Sequence, residues 1–449
     1  MNYQTIKNTF QEKSPLLYYS LSLIIHPRYH INKTYEKIRQ RYLYYKLPKL
    51  QHNALVRLKN KSTIKCVFFV VQYQGWKYDV VYKLMVKNSR FCPVILICPS
   101  VNFGRETMLM HLRDSFNYFK SRNYNVINSY DEEKDKYVDV LSEVCPDIIF
   151  YTNPYEGLID DRYYITNFLE TLTVYVPYAF NNNIDHNFCQ NLPLHNYVWR
   201  YYAESDEHRL YSLKYSNCKG RNVVTTGYPG IESFLDNNYK CRYDDWKIRD
   251  NTRKRIIWAP HHTIVNVGKV NYSCFLQYAD FMLEMVDKYK NDVQFVFKPH
   301  PLLKDRLESF WGKEKTIDYY SKWEKGVNCS FCDGDYVDLF FSSDAMIHDS
   351  GSFLIEYLYL NKPVMRTIND IPLEKMYNSF ALKCLEQHYF AQSKHDIEQF
   401  IQNVISEIDP LKEQRTKFVN EVLMPKGSPS QNIINDILDS IDNQILYRN

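Results

Sequence analysis

Short apolar segments alternate with amphipathic segments along most of this chain. Residues 64–71 form a run rich in Val and Phe, which is typical of a buried strand, and a helical pattern follows at 77–88. The alternation predicts strands at 64–71, 91–98, 124–127, 147–151, 173–180, 255–260, 294–301 and 345–347, and helices at 77–88, 105–120, 132–141, 272–290, 335–341, 353–361 and along 394–445. Strands that alternate with helices imply an α/β fold, in which helices cover both faces of a parallel sheet.

A polar and charged stretch at 236–252 interrupts this alternation, which then restarts. Because 449 residues exceed the usual size of a single core, we interpret this stretch as a linker between two domains. The predicted parts are a basic helical extension (1–60), a Rossmann-like domain (61–235), the linker (236–252), a second Rossmann-like domain (253–393) and C-terminal helices (394–449). Two doubly wound domains in tandem face each other across a cleft at the carboxyl ends of their strands, where ligands bind.

The composition describes a globular protein and argues against some partners. Hydrophobic residues make up 45% of the chain and the net charge is only +4, so net charge does not suggest a nucleic-acid binder. The 11 cysteines are scattered and odd in number, as expected for free thiols in a reducing compartment. Cys329 and Cys332 form the only close pair of cysteines in the sequence. No further ligands stand nearby at the spacing of a metal site, so we interpret the two as structural thiols.

The first 60 residues are basic and aromatic. Glu12 and Glu36 are their only acidic residues, while Lys and Arg are frequent from Arg28 onward and are interleaved with Tyr. Such a segment either lies on an anionic membrane surface or packs as a solvated helical extension on the first domain. The start lacks the features of a signal peptide, and the apolar run at 16–25 is too short to span a bilayer. We therefore expect a cytoplasmic location, with peripheral contact to the inner face of the membrane as an option.

An anion-binding turn is predicted at residues 349–352, Asp-Ser-Gly-Ser, between the strand at 345–347 and the following helix. Ser350, Gly351 and Ser352 would offer backbone N–H groups and two hydroxyls at a helix N-terminus, where negative charge is favoured. The glycine would let a phosphate approach the backbone closely, so a diphosphate is the expected ligand. The alternative is that Ser352 only caps a core helix.

Two more polar turns follow directly on apolar strands of the second domain. They are Pro-His-His-Thr at 260–263 and Lys-Pro-His-Pro at 298–301. Since strand ends meet at one edge of an open α/β sheet, we expect both turns to converge with the Asp-Ser-Gly-Ser turn. Lys298 or a protonated His300 could neutralise charge on a leaving nucleotide, and a neutral His261 or His262 could accept a proton from a hydroxyl.

Two acidic features were also considered as binding groups. Glu356 lies one turn into the helix after Ser352 and could bind a ribose hydroxyl; the alternative is a solvent-facing carboxylate. Asp333 and Asp335 lie in a loop that enters a helix and are better explained as a capping turn than as a metal site. No metal site and no cofactor are therefore predicted.

The ordered set of these motifs resembles the CDP-glycerol glycerophosphotransferase (teichoic acid polymerase) family. The resemblance rests on Ala-Pro at 259–260, Phe-Lys-Pro-His-Pro at 297–301, the stretch 335–353 and Asn-Lys-Pro at 361–363. It covers residues 252–370 well and 64–235 loosely. It implies a GT-B fold of two facing Rossmann-like domains, a CDP-alditol donor in the C-terminal domain, an acceptor in the N-terminal domain, transfer without a required metal, and peripheral attachment to the cytoplasmic membrane.

Within this resemblance, His300 corresponds to the family's Lys-Pro-His-Pro histidine, and residues 350–352 correspond to its diphosphate-binding turn. The family's Trp-His-Gly motif, whose His is thought to act as base, is missing: the matching strand end reads Tyr-Val-Pro-Tyr-Ala-Phe at 175–180. In addition, His261 and His262 stand where Thr-Trp or Thr-His is more usual after Ala-Pro. A substitute base from this pair is therefore predicted.

The sequence thus predicts a transferase that moves an alditol phosphate group from a CDP-linked donor, used as substrate, to a polysaccharide or lipid-linked acceptor in capsule or cell-envelope polymer synthesis. Two alternatives stay open. One is a GT-B glycosyltransferase or an epimerase that uses a UDP or CMP sugar. The other is a catalytically silent scaffold that attaches a capsule assembly to the membrane, which the missing Trp-His-Gly motif favours and the intact turns oppose.

Overall fold

The fold was taken from a computed structural model, which describes residues 27–102, 104–242, 245–248, 252–265 and 271–448. Part of the predicted extension, including the apolar run at 16–25, and part of the predicted linker lie outside the described residues. Among the described residues, no helix is both long and apolar enough to cross a membrane.

The first domain is built on a parallel sheet of seven strands. The strands of this half of the chain are β1 Ile64–Val70, β2 Phe91–Ile97, β3 Val126–Asn128, β4 Tyr130–Asp131, β5 Lys136–Tyr137, β6 Ile148–Tyr151, β7 Leu172–Tyr175, β8 Arg200–Ala203 and β9 Val223–Thr225. The sheet order is β3-β2-β1-β6-β7-β8-β9, and β4 and β5 form a separate antiparallel hairpin. The order reverses between β1 and β6, as in a doubly wound sheet.

The second domain repeats this plan with six parallel strands. They are β10 Lys254–Ala259, β11 Val293–Phe297, β12 Cys329–Phe331, β13 Ala345–His348, β14 Val364–Thr367 and β15 Tyr389–Ala391. The order is β12-β11-β10-β13-β14-β15, so the switch point lies between β10 and β13. The central strands of both sheets are buried on both faces, which explains why they read as continuous apolar runs.

Helices cover both sheets. Those of the first half are α1 Pro27–Lys59, α2 Asp79–Lys87, α3 Arg105–Ser121, α4 His186–Gln190, α5 Pro193–Tyr197, α6 Asp206–Tyr215 and α7 Glu232–Leu235. Those of the second half are α8 Phe275–Lys288, α9 Leu303–Trp311, α10 Lys313–Lys325, α11 Val337–Ser342, α12 Phe353–Glu356, α13 Ser379–Leu385, α14 Lys394–Ile405, α15 Lys412–Phe418 and α16 Pro429–Asp442.

Two predicted elements differ from the structure. The segment 132–141 was predicted as a helix, but it contains the turn and second strand of the β4–β5 hairpin. Asp131 explains the difference, because its carboxylate accepts hydrogen bonds from the backbone N–H groups of Glu133 and Lys134 at 3.1 Å and so holds a tight turn. The helix predicted at 353–361 is only the short α12 followed by a 3₁₀ turn at Tyr357–Leu360, and it is buried rather than amphipathic.

The two termini of the described chain both pack on the first domain. Leu43 and Leu47 of α1 join the core on one face of the first sheet, and Leu55 and Leu58 join the core on the other. The C-terminal helices divide: α14 packs against the second sheet, whereas four isoleucines of α16 join the first domain's core. Arg200 and Asp436 bind each other at 2.9 Å in the interior, which ties α16 to β8.

Apolar contacts also join the two domains. Phe180 and Tyr228 from the first domain belong to the same core as the helices beneath the second sheet. The rings of Phe180 and Phe380 stack with their centres 6.1 Å apart. The two domains are therefore in direct apolar contact at the base of the cleft between their carboxyl edges.

Candidate functional site

The topology of the second sheet brings the three predicted polar turns to one place. β10 ends at Ala259, β11 at Phe297 and β13 at His348, and these strands are neighbours around the switch point. The turns that follow therefore meet at one edge. The backbone N–H of His300 donates to the carbonyl of Pro260 at 2.9 Å, which joins two of the turns directly.

The three predicted catalytic histidines form one cluster. The ring centres of His261 and His262 lie 4.3 Å apart, those of His262 and His300 lie 4.2 Å apart, and those of His261 and His300 lie 5.0 Å apart. Such an array offers imidazole nitrogens as hydrogen-bond donors or as bases.

Asp349 connects this cluster to the Asp-Ser-Gly-Ser turn. Its buried carboxylate accepts hydrogen bonds from the backbone N–H of His261 and, at 2.6 Å, from that of Cys274. Burial raises the pKa of Asp349 to about 6, while these two N–H groups act in the opposite direction. Asp349 belongs to the predicted motif, but the sequence alone indicates no role for it; an Asp directly after a buried strand is the available signal.

The histidine rings are neutral at pH 7. Burial lowers the pKa of His300 to about 3 and that of His262 to about 4, and it lowers the pKa of His261 well below its usual value. The charges of neighbouring histidines add to this effect for His261 and His300. The predicted protonated His300 therefore requires a bound anion to raise its pKa.

Hydrogen bonds orient two of these rings. The backbone N–H of Leu302 donates to His300 Nδ1 at 3.1 Å, which leaves the proton of the neutral ring on Nε2. His261 Nδ1 lies 3.0 Å from Thr263 Oγ1, which also accepts the backbone N–H of Tyr272 at 2.9 Å. His300 is thus set up as a donor through Nε2.

The cluster also meets a distance test for a metal site. One nitrogen from each of His261, His262 and His300 lies within 4.8 Å of the others. An all-imidazole set suits zinc or copper rather than magnesium. The Leu302 N–H bond opposes ligation by His300, because ligating histidines usually donate, rather than accept, through their second nitrogen.

The turn at 350–352 is held by partners from both domains. The carbonyl of Ser350 accepts from Nη1 of the buried Arg366 at 3.0 Å. The carbonyl of Gly351 accepts from Asn182 Nδ2 of the first domain at 2.7 Å, and a Cβ on Gly351 would lie 3.3 Å from this nitrogen. The side chain of Ser352 makes no capping hydrogen bond to α12, in contrast to the alternative that it only caps the helix.

Lys298 and Glu356 are both buried, with 5% and 1% of their surface exposed. Burial lowers the pKa of Lys298, and the nearby carboxylates of Asp333 and Asp245 oppose this shift. Glu356 is not the solvent-facing carboxylate of the alternative, since it accepts a hydrogen bond from Tyr336. Tyr336 in turn accepts from Lys77 Nζ of the first domain at 2.8 Å. The structure therefore joins Glu356 to a contact across the cleft.

The first domain contributes different groups. After β7, Tyr178 Oη lies 3.2 Å from Tyr155 Oη, at the strand end where the family resemblance implies a histidine. His111 of α3 lies at the carboxyl edge beside Gln72 (2.9 Å) and Ser100 (3.1 Å). Neither group was identified from the sequence, because their partners come from distant strand ends.

Comparisons with known proteins agree with this architecture. The family model described as CDP-Glycerol:Poly(glycerophosphate) glycerophosphotransferase matches residues 177–439, which is more than half of the chain. Teichoic acid ribitol-phosphate polymerase TarL of Staphylococcus aureus (strain NCTC 8325 / PS 47) is 27% identical over 184 residues. That match covers 40% of this chain but only 30% of the polymerase.

Solved structures show the same fold. The wall teichoic acid polymerase TagF has a TM-score of 0.56 at 11% identity, over 92% of this chain and 99% of that one. UDP-GlcNAc 2-epimerase from Neisseria meningitidis has a TM-score of 0.51 at 14% identity, over 84% and 100% of the two chains. At such identities the likeness concerns the fold alone, and it confirms the predicted GT-B architecture. Together with the family match, it confirms the resemblance inferred from the motifs: the chain belongs to the CDP-glycerol:poly(glycerophosphate) glycerophosphotransferase family.

Proposed function

We propose that the protein transfers an alditol phosphate group from a CDP-linked donor to a hydroxyl of a cell-envelope polymer. The observation that carries the proposal is the hydrogen bond from the backbone N–H of His261 to the carboxylate of Asp349, because it joins the histidine cluster to the Asp-Ser-Gly-Ser turn. A base and an anion-binding turn so close together suit attack of a hydroxyl on a phosphorus atom. Family membership supports the same class of reaction.

The donor diphosphate would bind at Ser350, Gly351 and Ser352. The backbone N–H groups and hydroxyls of this turn are the proposed donors to the diphosphate. Lys298 follows β11, which only β10 separates from the strand that leads into the turn. A bound diphosphate would also raise the pKa of His300 by its negative charge. Glu356 is proposed to bind the ribose, which requires its hydrogen bond with Tyr336 to open.

In the proposed step, the acceptor hydroxyl oxygen attacks the phosphorus that carries the alditol. A new phosphodiester bond forms, the P–O bond to CMP breaks, and CMP leaves with the electron pair. The hydroxyl proton passes to a neutral imidazole of His261 or His262. Nε2–H of His300 and the Lys298 ammonium stabilise the charge on departing CMP. The donor is a substrate, and the step as written requires no cofactor.

Release of CMP tests this proposal. Purified protein would be given CDP-glycerol or CDP-ribitol with a glycerol phosphate oligomer, and UDP-N-acetylglucosamine would serve as the alternative donor. In parallel, thermal unfolding would be followed with CDP, CMP, UDP and UMP, since a ligand at 100 times its Kd stabilises the folded state by about 2.7 kcal/mol. We expect stabilisation by CDP and CMP release from a CDP-alditol. Stabilisation by UDP alone, with no CMP release, would overturn the proposal.

We further propose that the exposed face of α1 contacts an anionic membrane surface. Ile38 and Tyr45 are 64% and 70% exposed, and Tyr42 is also exposed on the same face. The segment 38–49 contains four basic and no acidic residues. Each basic residue near such a surface is worth about 1 kcal/mol.

Because α1 also fills the first domain's core, its deletion would damage the fold, and charge reversal is the better test. Arg41, Lys46 and Lys49 would be changed to Glu together, and Lys412, Lys417 and Lys426 would form a matched control triple. Sedimentation with vesicles that contain anionic lipid should decrease only for the α1 triple. Equal binding by both triples and the wild type would contradict the proposal.

A further inference from the structure

A cavity of about 290 Å³ lies where the first domain meets the second. The first domain supplies Asn183, Ile184 and Asp185 to its wall, and the second supplies Tyr272, Lys375 and Met376. The wall is held together by the backbone N–H of Ile184, which donates to the carbonyl of Met376 at 3.1 Å. A volume of this size holds a small polyol unit rather than a whole nucleotide sugar.

This cavity borders the histidine cluster through Tyr272. The ring of Tyr272 meets that of His261 edge-on, with centres 5.2 Å apart, and stacks on Tyr377 at the same distance. Its hydroxyl lies 3.4 Å from Asn183 Nδ2. A molecule in the cavity is therefore separated from His261 by one aromatic ring.

The chemistry of the wall suits a phosphorylated polyol. The carboxylate of Asp185 accepts the backbone N–H of Phe188 at 3.3 Å, and the amide oxygen of Asn183 accepts that of Asp185 at 2.7 Å. Both groups can accept a further hydrogen bond from a hydroxyl, while Ile184 and Met376 match C–H surfaces. Lys375 is exposed at the rim and offers an ammonium for a phosphate. A purely apolar or purely acidic wall would suit only one part of such a ligand.

The larger cavity of about 470 Å³, beside β9 and α16, does not offer the same groups. Its charged residues already bind each other: Asp436 is paired with Arg200 and Arg448, and Asp439 with Arg448. A ligand there would have to break existing ion pairs. The smaller cavity is therefore the better candidate for a second binding site.

We infer that this smaller cavity binds an alditol phosphate unit at the growing end of the acceptor polymer. Lys375 contacts its phosphate, and Asn183 and Asp185 contact its hydroxyls. The reacting hydroxyl then extends past Tyr272 towards His261. This inference rests on the proposed function, since it assigns the acceptor side of that reaction.

Two variants test the cavity without touching the donor turn. Ile184→Trp fills it from the partly exposed first-domain side, and Lys375→Glu reverses the charge at its rim. Lys417→Glu on α15 is the matched control, because it makes the same charge change on an exposed helix that does not line the cavity. The probes are a short glycerol phosphate oligomer, uncharged glycerol, and CDP.

We expect the oligomer to bind wild-type protein at least about tenfold more tightly than either cavity variant, because Lys375→Glu loses the contact to the phosphate and Ile184→Trp occupies the space of the polyol. Binding of CDP should change less than twofold in all variants. In turnover, the KM for the oligomer should rise in both cavity variants while the KM for the donor stays constant. Lys417→Glu should match the wild type.

The outcomes separate this inference from the proposed function. If the wild type binds CDP but not the oligomer, or if both cavity variants bind the oligomer as the wild type does, the cavity assignment is wrong and the proposed function stands. If the oligomer binds in a cavity-dependent way but no cytidine nucleotide binds, the proposed donor is wrong and the polyol site stands. If glycerol binds as tightly as the oligomer, the role of Lys375 is wrong.

Discussion

The two sheets of this protein share one plan but carry different chemistry at their carboxyl edges. Both reverse their strand order at the strand that begins the domain, β1 and β10. At the second sheet, histidines, a lysine and a small-residue turn meet at this edge; at the first sheet, the paired tyrosines and His111 stand there. Topology thus decides where a ligand binds, and the residues after each strand decide what can happen to it.

The buried polar groups differ in the same way. In and beneath the turn of the second domain lie the buried residues His348, Asp349 and Arg366, and burial lowers the pKa of His348 and raises that of Asp349. In the first domain, the buried hydroxyl of Tyr78 donates to the carbonyls of Tyr151 and Val176 and stays neutral, because burial raises its pKa. This difference fits the proposal that the second domain supplies the catalytic groups and that the first domain contributes to acceptor binding.

The largest expected effect is on catalysis. His300→Ala should lower kcat for CMP release by roughly 10²–10³-fold, as for loss of a donor that stabilises charge in the transition state. His111→Ala, its counterpart at the edge of the first sheet, should lower kcat less than tenfold. Thermal unfolding would verify that both variants fold. If His111→Ala lowered kcat as much as His300→Ala or more, the catalytic groups would lie at the first sheet rather than at the second.

Acidification should affect the second domain more strongly. Burial lowers the pKa of five of its histidines, which are His261, His262, His300, His348 and His388. Below about pH 6.5 the unfolded chain binds protons at these histidines, whereas in the folded chain they stay neutral. Each histidine therefore lowers the free energy of unfolding by about 1.4 kcal/mol for every pH unit below about 6.5. Asp349 opposes the trend, because its folded pKa of about 6 favours folding as pH falls from 6 to 4.

Hydrogen exchange followed by mass spectrometry at pH 7.5 and 5.5, corrected for intrinsic rates, would measure this difference. We expect peptides from β10 to β15 to lose protection before those of β1 to β9. In the first domain, burial also lowers the pKa of three histidines, His111, His186 and His195. Both domains should therefore lose stability in acid, and the second should lose more. Earlier loss in the first domain would contradict the prediction.

Asp349→Ala should destabilise the protein by about 2–5 kcal/mol, because two buried N–H groups, those of His261 and Cys274, lose their acceptor. Urea unfolding would measure the change. Asp349→Asn keeps one oxygen and should cost less. Asp287→Ala is the matched control on an exposed site and should stay within about 0.5 kcal/mol. If Asp349→Ala lowered the free energy of unfolding no more than the control does, Asp349 would not be the group that holds the histidine cluster and the turn together.

The smallest effect concerns the contact between the domains. Asn182→Ala removes the hydrogen bond to the Gly351 carbonyl, worth about 1 kcal/mol, and should weaken CDP binding about fivefold. Asn187→Ala, on the exposed side of α4, should leave CDP binding unchanged. Calorimetric titration would compare them. Equal affinities for the wild type and Asn182→Ala would show that the first domain does not support the donor turn.

Eight of the strands, the two-sheet plan and the convergence of the three polar turns were predictable from the sequence, whereas β8, β9, β12, β14 and β15 were not predicted. Each depends on a local signal, namely a short apolar run followed by Pro, His, Lys or Ser. The hairpin at 130–137 was missed because a helical spacing of apolar residues competed with the turn at Asp131. Arg366 was missed as a partner of the turn, although a cation inside an apolar strand pattern is a signal for a buried polar contact.

The sequence by itself determined the eight strands with strong apolar runs and the chemical groups that follow them, since both depend on residues only a few positions apart. Only the tertiary structure decided that Asn182 binds Gly351, 169 positions away, that Tyr336 covers Glu356, and that α16 returns to the first domain through Asp436 and Arg200, 236 positions apart. A local pattern contains no information about which distant side chains meet. That choice is made when the two sheets pack and the buried polar groups must find partners.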